Sequence, residues 1–507
     1  MHTIIFSDEI TLWWTKEEFA SNVEKYELYL DGQYHGETTK THYTFNLLQA
    51  KTSYRVGVAV YSGGVLQMKK EYDLQTGEAK NRIDVTKEPY RVCGDGKTLN
   101  TLMLQKALDD CTEKDCLYFP TGVYITGALN VHSNTEIYLD TGAVLQGTTD
   151  EADYLPKIKS RFEGIEQLCY RSLLNMGELD HTNYGYTCKN VFLRGNGTIF
   201  GGGRLLAVSM QEKERERLKD FLADNAEYVK TCETANTIPG RARGRLINMS
   251  NCENVIISGL TLGFGPSWNV HFVYSKNIVT YGCTICSNTV YNADGSLQRQ
   301  AVWNGDGWDP DSSEDCAIFH TMFRTGDDCV AIKSGKNPEG NVIDRSSKNL
   351  YIFDCVTESG HSISIGSEMS GGVENVYIWD CDLRNCYFGV QIKSTKKRGG
   401  YVKNVFVRDS IVRAVNVRCA SYNDDGEGAK EPPLLENYHF ENVKICGLTQ
   451  SDGKKFYVYL NGFEEEGYHL QNVSFRNVSF SASNKEQVIQ TSNVDGLQWD
   501  NIHYENQ

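Results

Sequence analysis

An asparagine followed by alternating apolar residues recurs along most of the chain: Asn254-Val-Ile-Ile, Asn277-Ile-Val, Asn349-Leu-Tyr-Ile, Asn375-Val-Tyr-Ile, Asn404-Val-Phe-Val, Asn437-Tyr-His-Phe and Asn472-Val-Ser-Phe. The first and third positions after each Asn are apolar or Thr, the period of two that marks a strand with one buried face. Six residues after the Asn stand Leu260, Cys283, Cys355, Cys381, Ser410, Val443 and Val478, all small or apolar, as an inward-facing column requires. The repeat length drifts, from 23 residues after Asn254 to 26 after Asn349, 29 after Asn375, 33 after Asn404 and 35 after Asn437. That drift is too large for a propeller or a leucine-rich repeat and suits a parallel β-solenoid whose turns vary in length. A β-sandwich with chance Asn-Val starts is the competing reading, and seven occurrences in register count against it.

The first eighty residues follow another pattern. Leu12-Trp13-Trp14, Tyr26-Glu-Leu28-Tyr-Leu30, the turn Asp31-Gly32 and Tyr54-Arg-Val56-Gly-Val58-Ala-Val60 alternate like strands of an antiparallel sandwich. With Leu47 or Leu48 shortly before Tyr54, this stretch resembles a fibronectin type III domain and its corner tyrosine. The expected organisation is a sandwich over residues 1–77, a linker over 78–90 opening in the polar run Thr76–Asn81, and a solenoid over 91–507. Within the solenoid, Gly94-Asp-Gly96 with Leu102, Leu104, Ala107 and Leu108 predicts a turn and a short helix capping the open end of the core. Leu218, Phe221, Leu222 and Tyr228 make a partial apolar stripe, which predicts a helix from about Glu212 to Val229 inserted at one rim.

Composition narrows the partners. The charge of the 507 residues is 51 minus 66, or -15, which argues against nucleic acid and anionic membrane. No run of eighteen apolar residues exists, and Met1 to Asp8 lack the basic start and apolar core of a signal peptide. The expected compartment is the cytoplasm, or the exterior where a leader has been removed. Several of the sixteen cysteines occupy the inward column, so they read as reduced core residues rather than a disulfide framework, and Cys283-x-x-Cys286 has no second pair for zinc.

Against this background four segments carry chemistry: Asn304-Gly-Asp306 with Asp309 and Asp311, Gly326-Asp327-Asp328, Gly360-His361 and Gln391-Ile-Lys393. Their intervals, 21 from Asp306 to Asp327, 33 from Asp328 to His361 and 32 from His361 to Lys393, approximate the repeat. Coils lie about 4.8 Å apart, so these groups stack on one wall. Carboxylates forced together drive one pKa upward, leaving an acid beside an ionised base, the division of labour that glycosidic cleavage uses. Asp309 and Asp311 read as supporting or turn residues; an EF-hand loop fails because Ala317 stands where its Glu would be. Lys393, with Lys396, Lys397 and Arg398, forms a basic cluster suited to an anionic ligand. No Walker loop, Gly-x-Ser-x-Gly elbow or His-Glu-x-x-His is present, and neither metal nor cofactor is expected.

At these positions the chain resembles the polygalacturonase family of glycoside hydrolases, whose segments Asn-Thr-Asp, Gly-Asp-Asp, Gly-His-Gly and Arg-Ile-Lys occur in this order. The resemblance runs from about Val92 to the C-terminus. It implies an all-β architecture, a right-handed parallel β-helix after the small sandwich, and hydrolysis of pectic galacturonides by single displacement with inversion. On that analogy Asp327 is the general acid, Asp306 and Asp328 hold and deprotonate water, His361 supports the acid, and Lys393 binds a galacturonate carboxylate, with Gln391 and Asn304 beside it. Arg161-Phe-Glu-Gly164 and Ile365-Gly-Ser-Glu368-Met-Ser-Gly-Gly372 are similar to the exo-acting bacterial branch, which adds Arg161 and Glu368 as substrate contacts. In that branch inserted loops close one end of the cleft, a role suited to residues 151–245. Gln391 departs from the family arginine and removes a fixed cation, which leaves open a modified pectin, such as rhamnogalacturonan, as substrate. A calcium-dependent pectate lyase and a non-catalytic glycan-binding solenoid are the rival classes.

Overall fold

Each asparagine of the repeat sits at a left-handed bend, with φ between 53 and 63° from Asn254 to Asn472. Asn tolerates this region better than other side-chain-bearing residues because its short amide bonds locally. Here the amides bond along the stack. Asn375 donates to Asn349 at 3.0 Å, Asn404 to Asn375 at 3.0 Å, Asn437 to Asn404 at 3.0 Å and Asn472 to Asn437 at 2.7 Å. Asp315, also left-handed, completes the ladder by accepting from Asn349 at 2.8 Å. Asn375→Ala loses both ladder bonds and places an alanine at positive φ, so we expect stability to fall by about 2–4 kcal/mol. Asn375→Gly should recover about 1 kcal/mol of that, with urea midpoints as the measurement.

The computed structural model describes all residues except 19–22, 233, 420–425, 452, 454, 483–488 and 506–507. The chain divides into two units, Met1–Ile83 with Lys114–Cys116, and Asp84–Glu113 with Leu117–Gln507. In the second unit the residues one and three after each Asn are buried, as are all seven at the sixth position. A 25-stranded sheet joins the Asn-bearing strands and the short strands that follow them, and an eleven-stranded parallel sheet forms a further wall of the coils. In that wall Val270, Trp308, Val330, Ile363, Val390 and Val415 are in register and face the core. The next residue on each of these strands therefore faces outward, which stacks His271, Asp309, Ala331, Ser364, Gln391 and Asn416 in one column.

The helix Thr101–Asp110 buries Leu104, Ala107 and Leu108, while Leu102 is 86% exposed. Instead of a free turn, Asp95–Leu99 forms a strand paired with Gly122–Thr126. Part of the expected linker belongs to the second unit: Val85 is fully buried and its N–H donates to the Tyr118 carbonyl at 3.1 Å. The inserted helix begins at Gly203 rather than Glu212, and its buried face is Leu206, Ala207 and Met210. Phe221 and Tyr228 lie in the following short helices Lys219–Asp224 and Ala226–Thr231 and remain exposed, so the stripe that predicted the helix is not its core face.

The first unit holds two antiparallel sheets, one of three strands (His2–Ile5, Ile10–Trp13, His42–Phe45) and one of four (Lys25–Leu30, Gln33–Thr38, Ser53–Ser62, Val65–Gln75). They share a core of Ile10, Leu12, Trp14, Tyr26, Leu28, Phe45, Val56, Val58 and Val60. The alternation along this stretch does correspond to antiparallel strands.

Candidate active site

Three successive strands of the eleven-stranded wall, Trp308–Asp311, Val330–Ile332 and Ser362–Ile365, begin just after Asp306, Asp328 and His361. The register that pairs Trp308 with Val330 and Val330 with Ile363 puts the residues before each strand one above another. One ligand atom each of Asp327, Asp328 and His361 fall within 4.8 Å of one another. A cavity of ≈ 450 Å³ opens here, within the usual size of small-ligand sites, and is lined by Asp306, Asp327, Asp328, Glu368, Lys333 and Lys393 among others. Gln211, Asn236 and Thr237 from the helical insertion line it too, so the insertion contributes directly to the cleft.

Lys333 organises the acidic floor. Its ammonium lies 3.5 Å from Asp306, 3.5 Å from Asp309 and 3.8 Å from Glu368, and 4.6 Å from the centre of the Trp268 ring. Burial opposes its charge, but these three carboxylates outweigh burial and hold the amine well above its ordinary pKa. Burial, and then the charges of Asp327 and Asp309, push Asp306 well above the carboxylate range, with Lys333 offsetting only part. Burial raises Asp309 to about 7. Glu368 stays below its ordinary value: burial acts upward, and Lys333 and Arg398 outweigh it.

Asp327 is also shifted downward. Burial would raise it, but the hydrogen bond and charge of His361, whose Nδ1 is 3.0 Å away, prevail with help from Lys393 and Lys333. His361 is raised in turn by the same hydrogen bond, against burial. The pair therefore shares one proton with the imidazole as its main holder. Asp328 is fully engaged: Lys393 donates to Oδ2 at 3.0 Å, and Ser364 and Ser362 donate to Oδ1 at 2.7 and 3.1 Å. Such a group is fixed in position and suited to orienting water.

The other expected contacts divide. Asn304 and Glu368 line the cavity, and the Asn304 carbonyl oxygen accepts from Arg243 at 2.7 Å. Lys393 lines it while paired with Asp328. Gln391 does not line it: it is buried in the outward column, with its Oε1 3.4 Å from the Ser362 hydroxyl. Arg161, expected at the substrate, has no exposed surface. It lies beneath the cleft, 3.2 Å from Asp311 and donating to Ser312 at 2.9 Å, so it supports the strand carrying Asp309.

Sequence reading missed Lys333 and Arg243. Lys333 had a signal: Ala331-Ile-Lys333-Ser334 repeats Gln391-Ile-Lys393-Ser394 on another coil. Arg243 had a fainter one in Arg241-Ala-Arg243-Gly-Arg245, whose alternation marks one face of an extended segment. All three of these arginines are buried.

A solenoid wall bearing carboxyl groups with divergent proton affinities suits glycosidic cleavage. The chain belongs to the glycosyl hydrolases family 28, whose family model matches residues 184–497. It is 32% identical to a probable polygalacturonase of Vitis vinifera over 381 residues, 70% of this chain and 68% of the relative. It is 25% identical to an exo-poly-alpha-D-galacturonosidase of Dickeya chrysanthemi, over 89% of this chain and 81% of that one. In structure it is similar to a family 28 exopolygalacturonase of Yersinia enterocolitica, with TM-score 0.75 and 20% identity over 99% of this chain and 98% of that one.

Proposed function

We propose that this protein is an exo-acting polygalacturonase that removes galacturonate from the end of pectin-derived oligosaccharides by direct displacement with inversion. The observation that carries the proposal is the cavity holding Asp306, Asp327 and Asp328 together, walled on one side by the helical insertion. Asp327 is assigned as the acid, with His361 as its proton reservoir. A uronate arriving beside them adds negative charge, raises the affinity of Asp327 for a proton, and draws it from the imidazole toward the leaving oxygen. Asp306 and Asp328 hold and deprotonate the attacking water. Lys333, 3.5 Å from Asp306, draws that buried carboxyl toward its ionised form against burial and the neighbouring acids. The names of the Vitis and Dickeya relatives support the substrate class.

The test is the course of polygalacturonate digestion. Monomer should be the first and dominant product while viscosity falls slowly; mixed oligomers with an early viscosity loss would refute exo action. The second reading is a modified pectin such as rhamnogalacturonan, whose oligomers test it in the same assay. A calcium lyase fits less well, because Lys333 and Lys393 already neutralise the carboxylates that would hold the cation. A silent binder has no need of the shared Asp327–His361 proton.

The proton account has a pH consequence. The imidazolium form of His361 is stabilised by Asp327, an interaction fully present below the ordinary value of 6.5 and lost as pH rises through the raised one. The alkaline limb of kcat/KM should therefore lie above 6.5. In His361→Gln it should move to lower pH, and an unchanged profile would remove His361 from the acid's proton path.

For the remaining architecture we assign a right-handed coil and a fibronectin type III identity to the first unit. The Tyr54 hydroxyl supports the latter, accepting from the Gln49 N–H five residues upstream at 2.9 Å, as a corner tyrosine does. Eleven of the sixteen cysteines are buried as core residues, which supports a reducing compartment such as the cytoplasm.

A further inference from the structure

Four cationic side chains line the cavity: Arg204, Arg243, Lys333 and Lys393. Three are already matched. Lys333 lies among Asp306, Asp309 and Glu368, and Lys393 is paired with Asp328. Arg243 is buried and donates to the carbonyls of Gly240, Pro266 and Trp303 and to Asn304. The acid on the insertion side, Glu163, is taken by Arg241 at 2.7 Å.

Arg204 differs. It stands in the first turn of the inserted helix Gly203–Arg217, half-buried, with its guanidinium carbon 3.6 Å from the centre of the Trp303 ring. Of its five N–H donors, one is used on the Ala301 carbonyl at 3.3 Å, and among the described residues no carboxylate pairs with it. Trp303, 41% exposed, also lines the cavity. A guanidinium held over an indole face loses little further freedom when a planar anion docks on it.

We propose that Arg204, backed by Trp303, reads the carboxylate of the sugar unit lodged against the helical insertion, and so selects a uronic acid over a neutral hexose or a methyl ester at that position. The proposal rests on the galacturonide reading of the site. It places a specificity-determining cation on the inserted helix. Bidentate pairing of guanidinium and carboxylate supplies the discrimination.

Calorimetric binding of trigalacturonate and of its methyl ester, in an Asp327→Asn background that prevents turnover, tests this. The parent variant should prefer the acid by at least about tenfold, Arg204→Gln should lose most of that preference through weaker acid binding, and Arg204→Lys should keep part of it. An Arg204→Gln protein that is folded and discriminates as well as its parent overturns the proposal while leaving the hydrolase reading intact. Wild-type enzyme that neither binds nor hydrolyses trigalacturonate removes the galacturonide reading and this inference with it.

Discussion

Replacing Asp327 by Asn is expected to lower kcat by about 10³-fold while leaving the affinity for trigalacturonate within about threefold, the signature of a lost proton donor. The amide keeps the shape of the carboxyl and can still meet His361 Nδ1, which lies 3.0 Å from the carboxylate. It cannot pass a proton to a leaving oxygen. The size of the loss matters because the cavity holds a competing acid: burial and its neighbours raise Asp306 far more than Asp327, which His361 pulls down. If Asp327→Asn retained wild-type turnover, the acid would be Asp306 and the assignment of roles would reverse. Single-turnover rates with trigalacturonate, measured beside calorimetric affinities, separate the two.

Lys333→Met should be the most damaging change for the fold around the site, costing about 3–5 kcal/mol at pH 8 and at least about 10²-fold in kcat. Asp306 Oδ2 is 3.5 Å from the Lys333 ammonium, and its Oδ1 is buried with no hydrogen-bond partner among the described residues. Without the ammonium, Asp306 and Asp309 lose their nearest cation, and Glu368 keeps only Arg398 and more distant charges. Their folded pKa values then rise, and a carboxyl with a raised folded pKa loses stability as pH climbs above its unfolded value near 4. The deficit of the variant should therefore be small at pH 5 and large at pH 8. In the wild type, Lys333 with its raised pKa contributes fully below about 10.4 and is lost only above that. Denaturant midpoints at the two pH values decide the matter. An equal deficit at both would mean that the lysine stem, rather than its charge, supports the site.

The solenoid was readable because its repeat imposes the same physical demand at every turn. A left-handed bend needs Asn or Asp, the next buried positions need apolar side chains, and the inward column needs small ones. Asp306, Asp327, Asp328 and His361 were readable because their spacing follows that repeat. Lys333 escaped notice because a lone lysine after an apolar strand usually faces water, and only strand register reveals the acids around it. Arg161 was misplaced for the opposite reason: its motif is local, and nothing local shows that Asp311, 150 residues away, turns beneath the cleft to meet it. The inserted helix shows a third limit. Leu218, Phe221, Leu222 and Tyr228 have helical spacing yet lie outside the described core, whereas Leu206 and Met210 bury against Tyr154 and Tyr170.

The most direct measurement is proton NMR of trigalacturonate during the first minutes of hydrolysis. The proposed roles, Asp327 as acid and Asp306 with Asp328 holding water, predict that the newly formed reducing end of the α-linked substrate appears first as the β-anomer and only later mutarotates. An initial α-anomer would require a covalent intermediate, and an unsaturated uronate would require elimination; either would contradict the mechanism.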